Sequence, residues 1–279
     1  GKQARRTKSS SPLGELFDHG VDSIMIGIFS IAIVLAMQIT PVQCMILLLA
    51  MMIVFYMSHW EEYHVGILVL GYVMNPTELQ YLSIIYLLFQ GMFPSVGQTT
   101  VFSITLNTYS YYMMLVLCAF GCFKYILGVL HWLHKNPMET VAKAFRRLFK
   151  LAVFVSLSLC LVLSFDSAAL KVHFWIICWI LVLINAYLTQ RIVVNRICKE
   201  NIPSFDWLLL IYGIETIIVI LSNCSLTLTA YVPYELFVMV ITAAVFEAAL
   251  VIDICNAFTK HLGIRVFCIK SPETDTILP

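Results

Sequence analysis

The chain has 279 residues, of which 61% are hydrophobic and 12% charged, and its mean hydropathy is +0.90. That balance excludes an ordinary soluble domain and makes a bilayer the expected solvent. The net charge of +1 comes from 17 basic and 16 acidic residues and gives nucleic-acid binding no support, so the information lies in where the charges sit.

The sequence opens at Gly1, without the charged-then-apolar pattern of a signal peptide, and is expected to be a fragment lacking its natural start. A polar segment, 1–21, precedes eight apolar runs long enough to span a bilayer, at 22–40, 42–59, 78–95, 109–131, 148–165, 172–190, 206–223 and 234–257. These runs predict an all-α fold, a polytopic membrane helix bundle with eight transmembrane helices. The stretch 64–74 is too short to span, holds two glycines and precedes Asn75-Pro76, so it is expected to form a re-entrant or interfacial loop. No repeat or Pro/Gly/Ser-rich linker divides the chain; residues 1–270 are read as one membrane domain and 271–279 as a disordered tail. The nine cysteines fall mostly inside apolar runs without CxxC spacing, which favours buried free thiols over disulfides or zinc.

Charge placement supports the even helix count. With 1–21 on the cytoplasmic side, eight crossings return the segments 60–77, 132–147, 191–205 and 258–279 to that side. Of the 17 Lys and Arg residues, 15 then lie there, counting Lys150 at the same end of its helix and leaving out Lys124 and Lys171, as the retention of basic loops in the cytosol requires.

The polar start carries the chemistry. It reads Gly1-Lys-Gln-Ala4-Arg5, eight residues, then Gly14-Glu-Leu-Phe-Asp18-His19-Gly20-Val-Asp22, which is G-x2-A-R-x8-G-x3-D-x3-D. On a helix Asp18 and Asp22 project from one face and can share a hard divalent ion, Mg²⁺ or Mn²⁺, whose open positions take phosphate oxygens. Small residues at Gly1, Ala4 and Gly14 allow a ligand close to the backbone, and Arg5 suits a bidentate phosphate contact. Taken alone, a D-x3-D pair is more simply a solvated helix start favoured by the helix dipole; the full spacing tips the balance toward function.

This motif resembles the CDP-alcohol phosphatidyltransferase signature, D-x2-D-G-x2-A-R-x8-G-x3-D-x3-D, matched from its glycine onward by Gly1, Ala4, Arg5, Gly14, Asp18 and Asp22. The stretch around ELFDHG resembles the eukaryotic choline/ethanolamine phosphotransferases, and SHWEEYHVGIL at 58–68 and NIPSFDWLL at 201–209 resemble the ethanolamine branch. The resemblance implies transfer of phosphoethanolamine or phosphocholine from CDP-ethanolamine or CDP-choline to diacylglycerol, with release of CMP. It also implies an ER or Golgi membrane location with the site facing the cytosol, a homodimer, and about ten helices in the intact protein. The signature's first two aspartates would precede Gly1, so a chain truly beginning there should be inactive.

The reaction needs a proton acceptor for the attacking hydroxyl. Asp22 is the family's traditional candidate, but a carboxylate on a divalent ion is a poor base, whereas an ordinary histidine titrates near pH 6.5. His19 is therefore the favoured base and Asp18 and Asp22 the metal ligands. His59 and Glu61, on the same membrane side, form a second candidate pair, weighed evenly against a mere interfacial belt. Glu215 and Glu247 lie deep in apolar runs, where the default reading is functional and a hydrogen-bonded carboxyl is the alternative. His173 and Gln90 read as packing and interhelical hydrogen-bond residues. The competing readings are a membrane transporter, which would place ion-binding carboxylates in paired broken helices, and a catalytically silent scaffold of the same fold.

Overall fold

The computed structural model describes residues 6–7, 11–68, 76–225, 227–263 and 266. Helix α1 spans Pro12–Ala36, α2 Pro41–Val65, α3 Pro76–Met92, α4 Leu106–Lys135, α5 Val141–Arg146, α6 Phe149–Leu163, α7 Ser167–Val172, α8 Phe174–Ile197, α9 Trp207–Cys224 and α10 Val232–Leu262. Each of the eight expected spans has a helix at its centre, and the chain is a polytopic membrane helix bundle. Six of the helices have at least 18 residues and are apolar enough to cross a membrane by length and composition. Helix α6 has 15 residues, about 22 Å of rise, and is flanked by the short helices α5 and α7.

Helix starts follow local chemistry. Ser11 caps α1 by accepting from the Gly14 N–H at 3.1 Å, with Pro12 in the first turn. Thr40 and Gln43 form a capping box at α2, again followed by proline. Asp166 caps α7 and Asp206 caps α9. Helix α2 ends at Gly66, whose φ of 84° is the left-handed conformation that glycine adopts without strain.

The structure moves two expected boundaries. Helix α1 begins at Pro12, ten residues before the expected span, so the acidic motif lies within the helix itself. Helix α2 continues past residue 59 to Val65 because His59, Glu61, Glu62 and His64 are buried in the bundle. Of the loop expected at 64–74, residues 69–74 lie outside the described region, as do most of 264–279, including the expected tail. A two-stranded antiparallel hairpin, β1 Thr100–Val101 and β2 Ile104–Thr105, was not expected; Phe102 and Ser103 turn it with positive φ.

Helix α8 is the hub. It packs against α1, α2, α6, α7 and α10, and 78% of its apolar window is buried, against 6% for α4. Its sequence, apolar on every side, suits a helix surrounded by others. Helix α1 approaches it at Gly27, where an added Cβ would meet the Val182 methyls at 2.5 and 2.6 Å. Below this contact, Gln190 of α8 donates to the Gly20 carbonyl and the Ser23 hydroxyl, both at 3.4 Å, and pairs with Glu247 of α10. Apolar packing and polar pairing together fix the motif helix on α8.

Gly27→Ala should therefore destabilise the bundle by roughly 1–3 kcal/mol through overpacking, and adding Val182→Ala should recover most of that loss. Melting of both variants in detergent checks this; a single variant as stable as the parent would contradict the close approach.

Candidate functional site

The site lies where the start of α1 meets the ends of α2 and α8. Asp18, His19 and Asp22 occupy consecutive turns of α1; both aspartates are exposed and His19 is half-buried. A continuous helix from Pro12 puts residues four apart on one side, so the two carboxylates share a face. Asp22 lies in the electrostatic field of Asp18, His19 and His59. Gly14 is exposed in the first turn of α1. Gly1, Ala4 and Arg5 lie outside the described residues.

Behind the motif, the edge of one imidazole meets the face of another: His19 and His59 have ring centroids 4.8 Å apart and an interplanar angle of 84°. His59 is 2% exposed and its Nδ1 lies 2.9 Å from Glu62 Oε2. Phe55 packs against the same ring at 4.8 Å. The Glu62 contact makes Nδ1–H the donor and leaves Nε2 as acceptor. Nε2 is buried and has no hydrogen-bond partner among the described residues.

Arg196, near the end of α8, pairs with Glu62 Oε1 at 3.4 Å and also with Glu15 in the first turn of α1. One guanidinium thus joins α1, α2 and α8, while Glu62 is held on both oxygens. The donor atoms of His19, His59 and Glu62 lie within 4.8 Å of one another, a spacing that could hold a metal ion. With both Glu62 oxygens engaged, the carboxylate suits orienting His59 better than ligating an ion. The exposed Asp18 and Asp22 supply the harder, more open oxygen donors that Mg²⁺ prefers.

Among the expected residues, the structure brings His19 and His59 together and turns Glu61 elsewhere. Two positions from His59, Glu61 points to α4, where a Cβ on Gly128 would collide with its carboxylate. Glu62 takes the place beside His59, three residues on. That spacing was the available signal for Glu62; Arg196 had none, because its partners are distant in sequence. The deep carboxyls find interhelical partners: Glu215 accepts from Thr242 at 2.8 Å, and Glu247 pairs with Gln190. Gln90 likewise bridges helices, donating to Asn107 at 2.6 Å and to the Ala36 carbonyl at 3.1 Å.

A membrane bundle with paired acids on one helix and a carboxylate-anchored histidine on the next is the setting in which sequence comparison becomes informative. Residues 1–118 match the family model for CDP-alcohol phosphatidyltransferase. A CDP-alcohol phosphatidyltransferase class-I family protein of Dictyostelium discoideum is 29% identical, over 100% of this chain and 67% of its own length. Ethanolaminephosphotransferase 1 of Homo sapiens is 27% identical over 99% of this chain and 71% of its own. Cholinephosphotransferase 1 of Gallus gallus is 38% identical over 45% of this chain and 38% of its own.

Arg196→Met should leave the buried Glu62 without its cation and cost roughly 1–3 kcal/mol. Arg196→Lys should recover only part, since one ammonium replaces a fork that reaches two carboxylates. Thermal melting in detergent tests both, and an unchanged Arg196→Met would remove the bridge from the account.

Proposed function

We propose that the protein makes phospholipid by transferring phosphoethanolamine, or phosphocholine, from a CDP-alcohol to diacylglycerol, releasing CMP. The observation that carries this reading is the contact of His19, between two aspartates on α1, with the Glu62-anchored His59. The ethanolamine head group is preferred because the relative named for it aligns with 99% of the chain, while the one named for choline aligns with 45%. The reading extends to an endomembrane location, ER or Golgi, with the site facing the cytosol, and to a homodimer.

Asp18 and Asp22 would hold Mg²⁺ or Mn²⁺, which when bound neutralises charge on the pyrophosphate. Gly1, Ala4, Arg5 and Gly14 would line the CDP-alcohol. The hydroxyl oxygen of diacylglycerol forms the new bond to the β-phosphorus. The bond from that phosphorus to the bridging oxygen breaks, and CMP leaves with the electron pair. His19 accepts the hydroxyl proton, being the half-buried imidazole that a substrate entering beside the aspartates can reach. His59, buried behind it and oriented by Glu62, positions the His19 ring. Glu61, directed at α4, is left to helix packing.

In the intact protein, Asp18→Asn and Asp22→Asn should each abolish transfer of labelled CDP-ethanolamine without unfolding the protein in detergent, since both side chains are exposed. Full activity in either would remove the motif from the mechanism. His19→Ala should lower kcat by about 10² to 10⁴, the range for a positioned acid-base group, with little change in CDP-alcohol affinity. A fast His19→Ala beside a crippled His59→Ala would move the proton acceptor to α2.

A further inference from the structure

At the end of the bundle that carries the motif, a cavity of about 300 Å³ opens between α5, the start of α6 and the loop 201–204. It shares no residue with the His19–His59–Glu62 cluster. Four cations line it, Lys143, Arg146, Arg147 and Lys150, against one acid, Glu139.

Two of the cations are already paired. Arg147 donates to Glu139 at 2.7 Å and stacks over the Tyr63 ring at 5.0 Å. Lys150, 3% exposed, donates to the buried Asp206 at 2.9 Å, and Asp206 also caps α9 through the Leu208 N–H. Lys143 and Arg146 are exposed and have no ion-pair partner among the described residues. The cavity thus presents two uncompensated positive charges on walls fixed by two ion pairs.

Its surroundings identify the occupant's other half. Phe149, which lines the cavity, exposes a large apolar side chain, and Phe205 and Trp207, packed edge to face at 4.9 Å, expose theirs just beyond the loop. Basic residues mixed with exposed aromatics mark the level of a membrane interface. A phosphate seated there would have its apolar tail beside the bilayer, and each Lys or Arg near an anionic lipid surface contributes about 1 kcal/mol.

We propose that this cavity is a binding site for the head group of an anionic phospholipid, separate from the reaction site. Arg147 connects the two, because the Tyr63 on which it stacks directly follows Glu62 in α2. The proposal stands on the charge and setting of the cavity and does not depend on the catalytic reading.

The test is native mass spectrometry of the full chain released from detergent, titrated separately with short-chain phosphatidic acid, short-chain phosphatidylcholine and inorganic phosphate. The wild type should prefer phosphatidic acid to phosphatidylcholine. Lys143→Gln/Arg146→Gln should weaken phosphatidic acid about tenfold or more and leave phosphatidylcholine unchanged. Both side chains are exposed and have no ion-pair partner among the described residues, so the variant keeps its fold, which circular dichroism checks. As an independent measurement, added salt should erode the wild-type preference. Equal binding of phosphatidic acid by wild type and variant, or no preference in the wild type, would overturn the proposal. Inorganic phosphate binding as tightly as the lipid would assign the cavity to a soluble anion instead and equally overturn it.

Discussion

One arginine holds together the end of the bundle where the chemistry-bearing residues gather. Arg196 closes α8 against an acid in the first turn of α1, Glu15, and an acid in the last turn of α2, Glu62. Glu62 passes the constraint to His59, and His59 meets His19 on α1. The motif helix is thereby fixed at its polar start by charge, at Gly20 and Ser23 by Gln190, and at Gly27 by close packing. In a bilayer, where apolar burial does little to bring helices together, such polar links and small-residue contacts set their relative positions.

The same economy governs the rest of the buried charge. Lys150 meets Asp206, and Glu247 meets Gln190, each across two helices. Asp206 both pairs with Lys150 and caps α9, so one residue sets the start of one helix and its docking on another. Unpaired polar groups at such depth would be costly, which is why deep carboxyls in apolar runs invite a functional reading. Here Glu215 accepts from Thr242 and Glu247 pairs with Gln190, so each deep carboxyl has a partner on a neighbouring helix.

Much of the fold was legible because hydropathy alone locates helices that must cross a bilayer, and each expected span has its helix. The ends were less legible. A hydropathy window places the first span at 22, whereas Ser11-Pro12 is a strong helix start and Leu13 and Leu16 are buried, so the helix begins there. The end of α2 was misjudged because Glu61, Glu62 and His64 look like solvent residues and are buried by neighbouring helices. The motif spacing pointed to Asp18, His19 and Asp22. Choosing between two adjacent glutamates, however, required the rotation of α2 relative to α1 and α4, which no single sequence encodes visibly. Arg196 and Gln190 were silent for the same reason, since their meaning lies in partners roughly 60 to 180 residues away.

In the proposed reaction the α1 carboxylates hold the divalent ion and the histidines serve proton transfer. Pulsed electron paramagnetic resonance of the intact protein loaded with Mn²⁺ reads the ligand atoms directly. That division of labour requires oxygen ligation with no directly bound nitrogen, and loss of the bound ion in Asp22→Asn but not in His59→Ala. Strong ¹⁴N coupling that vanishes in His59→Ala would put the metal on His19, His59 and Glu62 and contradict it.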